Sequence, residues 1–281
     1  MQPAPSKRAR FLHIVVGGGL LVLGSLGCTH PPEHGGTYAA FGALDTIEAT
    51  DASRDSVLAV LAQLNRTAFD SAFARLDAYA VTRDVRTEQL DTTGATTAYR
   101  TRTLRYPSGT GLGTIQRADS VGQFQAGGLL ASLTPSQPPR ARPGNLAGQV
   151  LSDTSDKPAY LAPRTQEAYR YALRRDSLLD GTPTHVVEAK VRSDERGADR
   201  SIRYARLTVD RASHELVGLT TTRASQILLF GERSQITLRL RRAPDAAWVP
   251  HLTRVRAVVD VPLRAPRQFR TVSAYHGYAA R

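Results

Sequence analysis

Residues 201–241 read SIRYARLTVDRASHELVGLTTTRASQILLFGERSQITLRLR, and through most of this stretch apolar and polar side chains alternate. A period of two sends successive side chains to opposite faces of an extended chain, so residues 201–209, 215–224 and 227–241 are predicted strands with one greasy face. Asp210 to His214 interrupts the first pair with turn-forming residues. Strands joined this tightly must run antiparallel, because a parallel return needs a crossover of a dozen residues or more.

The same pattern continues outward in both directions. Toward the C-terminus, a turn at Pro244-Asp245 leads to predicted strands 248–259 and 268–277. Toward the N-terminus lie predicted strands 184–192 and 168–178, joined by a turn at Asp180-Gly181. Before these comes a stretch, 134–165, with prolines at 135, 138, 139 and 143. Proline has no amide donor, so this stretch is excluded from a central strand and reads as a long loop. Further upstream, period-two runs at 81–86 and 96–106 flank a turn at 91–94 and predict a hairpin, with a weaker strand pair near 112–117 and 121–125. In residues 51–76 the period changes. Val57, Leu58, Leu61, Leu64, Phe69, Phe73 and Leu76 recur at steps of three and four, the signature of one long amphipathic helix that Asp51 or Ser53 would cap.

The expected fold class is therefore mainly β (α+β): an antiparallel meander of about ten strands with one helix to cover its apolar face. Two shapes satisfy this inventory, a sandwich of two sheets or one sheet curved around the helix. The 281 residues, 41% of them hydrophobic, suffice for a single large core without staples. The only cysteine, Cys28, excludes an internal disulfide.

Cys28 has a more specific context. Lys7, Arg8 and Arg10 precede an apolar, glycine-interrupted run at 11–26, too short for a full helical span of roughly 20 residues. The run ends in Leu-Gly-Ser-Leu-Gly-Cys, which resembles a bacterial lipobox, where a small residue precedes a cysteine that is acylated and becomes the first residue of the mature protein. That resemblance implies a signal peptide at 1–27, lipidation of Cys28 with fatty acyl chains of the palmitate type, and a membrane as partner. Thr29, where aspartate would favour the inner membrane, implies the outer membrane, facing the periplasm. Residues 28–50, with Pro31, Pro32, Gly35 and Gly36, read as a flexible tether to a single domain at 51–281.

Net charge is +12, almost all of it arginine, since Lys7, Lys157 and Lys190 are the only lysines. The arginines are spread through the alternating strands rather than gathered in a block, which with export points away from nucleic acid. No nucleophile elbow, zinc-protease helix or phosphate-binding loop occurs, and the histidines do not fall at metal-ligand spacing. The expectation is a protein that is not an enzyme and carries no cofactor.

An early helix, then hairpins, then Leu-Thr-Val-Asp-Arg-Ala-Ser-His-Glu-Leu-Val-Gly-Leu at 207–219 and Trp-Val-Pro at 248–250, resemble the LolA/LolB-like outer-membrane lipoprotein-sorting family. The resemblance implies the curved alternative, a half-barrel that holds acyl chains between sheet and helix. It makes Leu61, Phe69, Phe73, Leu219, Leu229 and Trp248 candidate wall residues for a lipid or an acylated protein. The function expected from it is lipid or lipoprotein trafficking by a membrane-tethered module. The alternative is a structural or interaction lipoprotein of the envelope whose core is fully packed.

Overall fold

The computed structural model describes residues 51–109, 112–124, 158–192, 202–227, 230–260 and 265–280. The expected signal peptide, Cys28, the tether, most of the proline-rich loop and Leu229 lie outside the described residues.

Among the described residues, ten strands form one antiparallel sheet. They are β1 (Tyr79–Leu90), β2 (Thr96–Tyr106), β3 (Thr114–Val121), β4 (Tyr169–Leu179), β5 (Thr182–Val191), β6 (Ile202–Asp210), β7 (Leu216–Ile227), β8 (Phe230–Arg242), β9 (Trp248–Asp260) and β10 (Arg267–Ala280). Their spatial order is β3-β2-β1-β10-β9-β8-β7-β6-β5-β4, so the sheet is open, with β3 and β4 at its edges. Seven strands follow one another as a meander, as the turn spacing predicts. The one long-range junction is β1 against β10, in register from Tyr79 opposite Ala280 to Leu90 opposite Gln268. The weak strand pair expected near 112–125 is instead a single strand, β3, paired with β2.

The predicted turns hold where their chemistry is strongest. Asp180 and Gly181 link β4 to β5 with φ of 49° and 81°, the two positive values that a two-residue hairpin matched to strand twist requires. A Cβ on Gly181 would meet nothing within 4 Å, so Gly181→Ala isolates the backbone cost. It should lower stability by about 1 kcal/mol in a urea titration.

The single long helix is corrected. Residues 51–78 form three short pieces, α1 (Asp51–Ala62), α2 (Thr67–Ser71) and a 3-10 turn (Ala74–Ala78). Asn65 causes the break. Its amide donates to the His214 carbonyl at 2.8 Å and its carbonyl accepts from the Leu216 amide at 2.8 Å, a bridge to the β6–β7 turn that extended backbone makes and helical backbone does not. Its side-chain oxygen then accepts from the Thr67 amide at 2.9 Å and helps start α2.

The three pieces cross one face of the sheet, α1 against β4, α2 against β7, and the 3-10 turn against β1 and β9. Register fixes what they cover. Leu238, Leu219, Leu207 and Val187 stand opposite one another across β8, β7, β6 and β5. Phe69, Phe73 and Leu76 join them in one buried cluster, and Phe73 meets the Tyr275 ring edge-on at 6.3 Å. Burying each such side chain contributes about 1.5 to 3 kcal/mol.

Candidate functional site

Directly opposite residues in an antiparallel pair share a face, so the registers also define the other side of the sheet. Three rows cross it. The first runs Gln235, Arg256, Arg270, Glu88; the second Thr237, Arg254, Val272, Arg86, Thr101; the third Arg239, Leu252, Ala274, Asp84, Thr103, Arg117. The described helices pack on the opposite face, and this one carries arginine and threonine where the helix side carries leucine.

These rows line a groove of about 690 Å³. Val272 and Ala274 of β10 form its floor. Arg254 and Arg256 stand on one side, and Arg86 and Arg117 on the other. Arg117 of β3 and Gln235 of β8 line the same groove although four strands lie between theirs, so the sheet curls toward this face.

The groove's two carboxylates are already engaged. Glu88 is 5% exposed and accepts from Arg270 Nε at 2.5 Å with one oxygen and from Arg86 Nε at 2.8 Å with the other. Burial pushes its pKa up, but the two guanidinium hydrogen bonds outweigh that and hold it below the ordinary value. Asp84 accepts from Thr103 at 2.6 Å on one oxygen and meets His276 Nε2 at 2.7 Å on the other. Its pKa is likewise lowered, burial being outweighed by these hydrogen bonds. The hydroxyl and the imidazole address different oxygens of Asp84, so they do not make a nucleophile-base pair.

The arginines outnumber these partners. Arg256 faces Arg270 directly across the strands, and burial together with that neighbour lowers its pKa. Arg117 and Arg254 make no hydrogen bond or ion pair among the described residues. A smaller groove of about 180 Å³ adjoins, lined by Arg206, Thr220, Thr237 and Arg239, so the cationic surface continues toward β5. Beyond it, buried Glu188 is held by Arg174 at 2.7 Å and by the Tyr204 hydroxyl at 2.9 Å.

The residues expected to wall an apolar trough lie on the helix side. Phe69, Phe73, Leu219 and Trp248 are at most 5% exposed within the same core cluster, and Leu61 packs at its margin. Among the described residues, no group of three or more His, Cys, Asp or Glu side chains could hold a metal ion, and no helix is long and apolar enough to cross a membrane. The groove arginines were visible in sequence only as alternation, for example Arg254-Val255-Arg256, and which strands bring them together depends on the β1–β10 pairing.

Fold and groove together define an open antiparallel sheet with a packed apolar side and a cationic, solvent-facing side. No family model matches the chain, and no curated protein matches it. Among solved structures, it is similar to a DUF1329 family protein from Desulfovibrio piger, at 12% identity over 82% of this chain and 94% of that one, with a TM-score of 0.26. It is also similar to a putative outer membrane lipoprotein-sorting protein domain from Vibrio parahaemolyticus, at 12% identity over 81% and 93%, with a TM-score of 0.29. A LolA superfamily protein from Nitrosomonas europaea matches at 15% identity over 82% and 94%, with a TM-score of 0.24.

Proposed function

We propose that this chain is a lipid-anchored, non-catalytic binding module of a bacterial envelope, and that it works through the arginine groove on an anionic ligand. The observation that carries this is the imbalance of charge in the groove. Arg86, Arg117, Arg254, Arg256 and Arg270 line it from the groove face, with the carboxylates Asp84 and Glu88 among them. Arg117 and Arg254, held in place by strand register and without an ion pair among the described residues, attract anions without reorganisation. The packed side of the sheet supports an interaction module over an acyl-chain carrier. Cys28 would supply the tether, implied by the lipobox, and the outer membrane the location, implied by Thr29.

The test is equilibrium binding of polyphosphate and polyglutamate to the detergent-solubilised full chain, compared with Arg117→Glu/Arg254→Glu. Wild-type binding that weakens with salt, and falls at least tenfold in the double variant, is the expected result. Equal binding by both proteins would overturn the assignment. Co-purified lipid in native mass spectrometry that disappears in a folded Phe73→Glu protein would move the site to the helix side.

A further inference from the structure

We infer that the groove selects a phosphate ester carried by an amphiphile, with the phosphate held between the two arginine-bearing sides and the apolar part lying on β10. This rests on the groove being an anion site.

The choice of phosphate follows from how the groove already treats a carboxylate. The Glu88 carboxylate is planar and has two oxygens, and both are used, one by Arg86 on the same strand at 2.8 Å and the other by Arg270 on neighbouring β10 at 2.5 Å. A carboxylate therefore saturates one arginine pair. Arg254 on β9 and Arg117 on β3 remain without partners among the described residues, on opposite sides of the floor. A phosphate monoester carries about −1.5 to −2 charge and three acceptor oxygens in a non-planar array, so it can accept from forked donors on both sides at once. Arginine rather than lysine at every one of these cationic positions fits that bidentate geometry.

The amphiphile follows from the floor. Val272 lies between Arg254 on β9 and Arg86 on β1, and Ala274 between Leu252 on β9 and Asp84 on β1, so two partly exposed apolar side chains sit beside charged neighbours. A free anion bound above them would leave this apolar strip wet. A ligand with a hydrocarbon segment beside its phosphate covers it, as do the methylene stems of the arginines.

The experiment is calorimetric titration of the full chain with four probes: inorganic phosphate, dihexanoyl phosphatidic acid below its micelle concentration, dihexanoyl phosphatidylcholine, and hexanoate. Phosphatidic acid should bind at least tenfold tighter than each of the others. Arg254→Gln should weaken it about tenfold, the effect of losing a charge-assisted hydrogen bond. Val272→Asp should bring it level with inorganic phosphate. Arg170→Gln, the same charge change on exposed β4 outside the groove lining, should stay within twofold of wild type. Inorganic phosphate binding as tightly as phosphatidic acid would overturn the role of the floor. Hexanoate binding as tightly would overturn phosphate selection while leaving an anion site. Binding of none of the three anions would overturn both this inference and the groove itself.

Discussion

Trp248→Ala is expected to lower the free energy of unfolding by about 3 to 5 kcal/mol, measured by urea denaturation followed by circular dichroism. Trp248 opens β9, is 1% exposed, and belongs to the core cluster that α2 and the 3-10 turn cover. Truncating an indole there leaves a cavity that a sheet pinned by neighbouring registers cannot close. The Arg242 guanidinium lies 3.9 Å from the ring centroid and loses its cation-π partner as well. Arg242 also reaches Asp210 at 3.4 Å, and the Asp210 carboxylate accepts from the Ala212 amide at 2.9 Å, so the damage should spread to the β6–β7 turn. A loss below about 1 kcal/mol would mean that the indole is not the core anchor described, since buried aromatic truncations rarely cost so little.

Glu88→Gln is expected to lower stability at pH 7 by about 2 kcal/mol, and the deficit should shrink in acid. Glu88 is buried between Arg86 and Arg270, and removing its charge leaves two guanidinium groups facing each other. Both arginines are nearly half exposed, at 49% and 44%, and water softens the loss below that of a fully buried pair. The sign with pH follows from the lowered pKa. A carboxylate whose folded-state pKa lies below its unfolded value contributes stability that is fully present above the unfolded value, near 4.5, and is lost as pH falls through the folded one. Wild type should therefore lose stability below about pH 4.5 more steeply than Glu88→Gln. Asp84 adds to the same acid limb from about pH 3.8 downward. Parallel curves for the two proteins between pH 7 and 3 would show that the carboxylate carries no net charge coupling in the fold.

The strands were legible in the sequence because alternation is a local property, and each two-residue step is visible without knowing the neighbour. Leu207, Leu219 and Leu238 could be placed on the buried face for that reason alone. The helix was misjudged because its interruption is not local. The apolar steps from Val57 to Leu76 do not change at Asn65; what changes is that the β6–β7 turn, remote in sequence, takes both of its backbone groups. The groove was hidden for the same reason. Arg254 and Arg256 show an alternating pair, but nothing near them in sequence shows Arg270 opposite one of them or Arg86 two strands away. Phe69, Phe73, Leu219 and Trp248, expected as walls of an apolar trough, all lie in the core. Arginines recurring at every second position on successive strands were the signal for the other face.

The junction of β1 with β10 also bears on how such a chain can be assembled. Synthesis from the N-terminus produces the β3-β2-β1 unit first, and the free edge of β1 then waits for the last of these strands, β10. Until that strand arrives, β1 offers an unpaired row of amides and carbonyls, with alternating Val81, Val85 and Thr87 beside it, to any other extended chain nearby. Closure of the sheet is thus a late and slow event, set by the longest loop the fold must close. The groove, whose two sides lie on either side of that seam, comes into being only when the chain is whole.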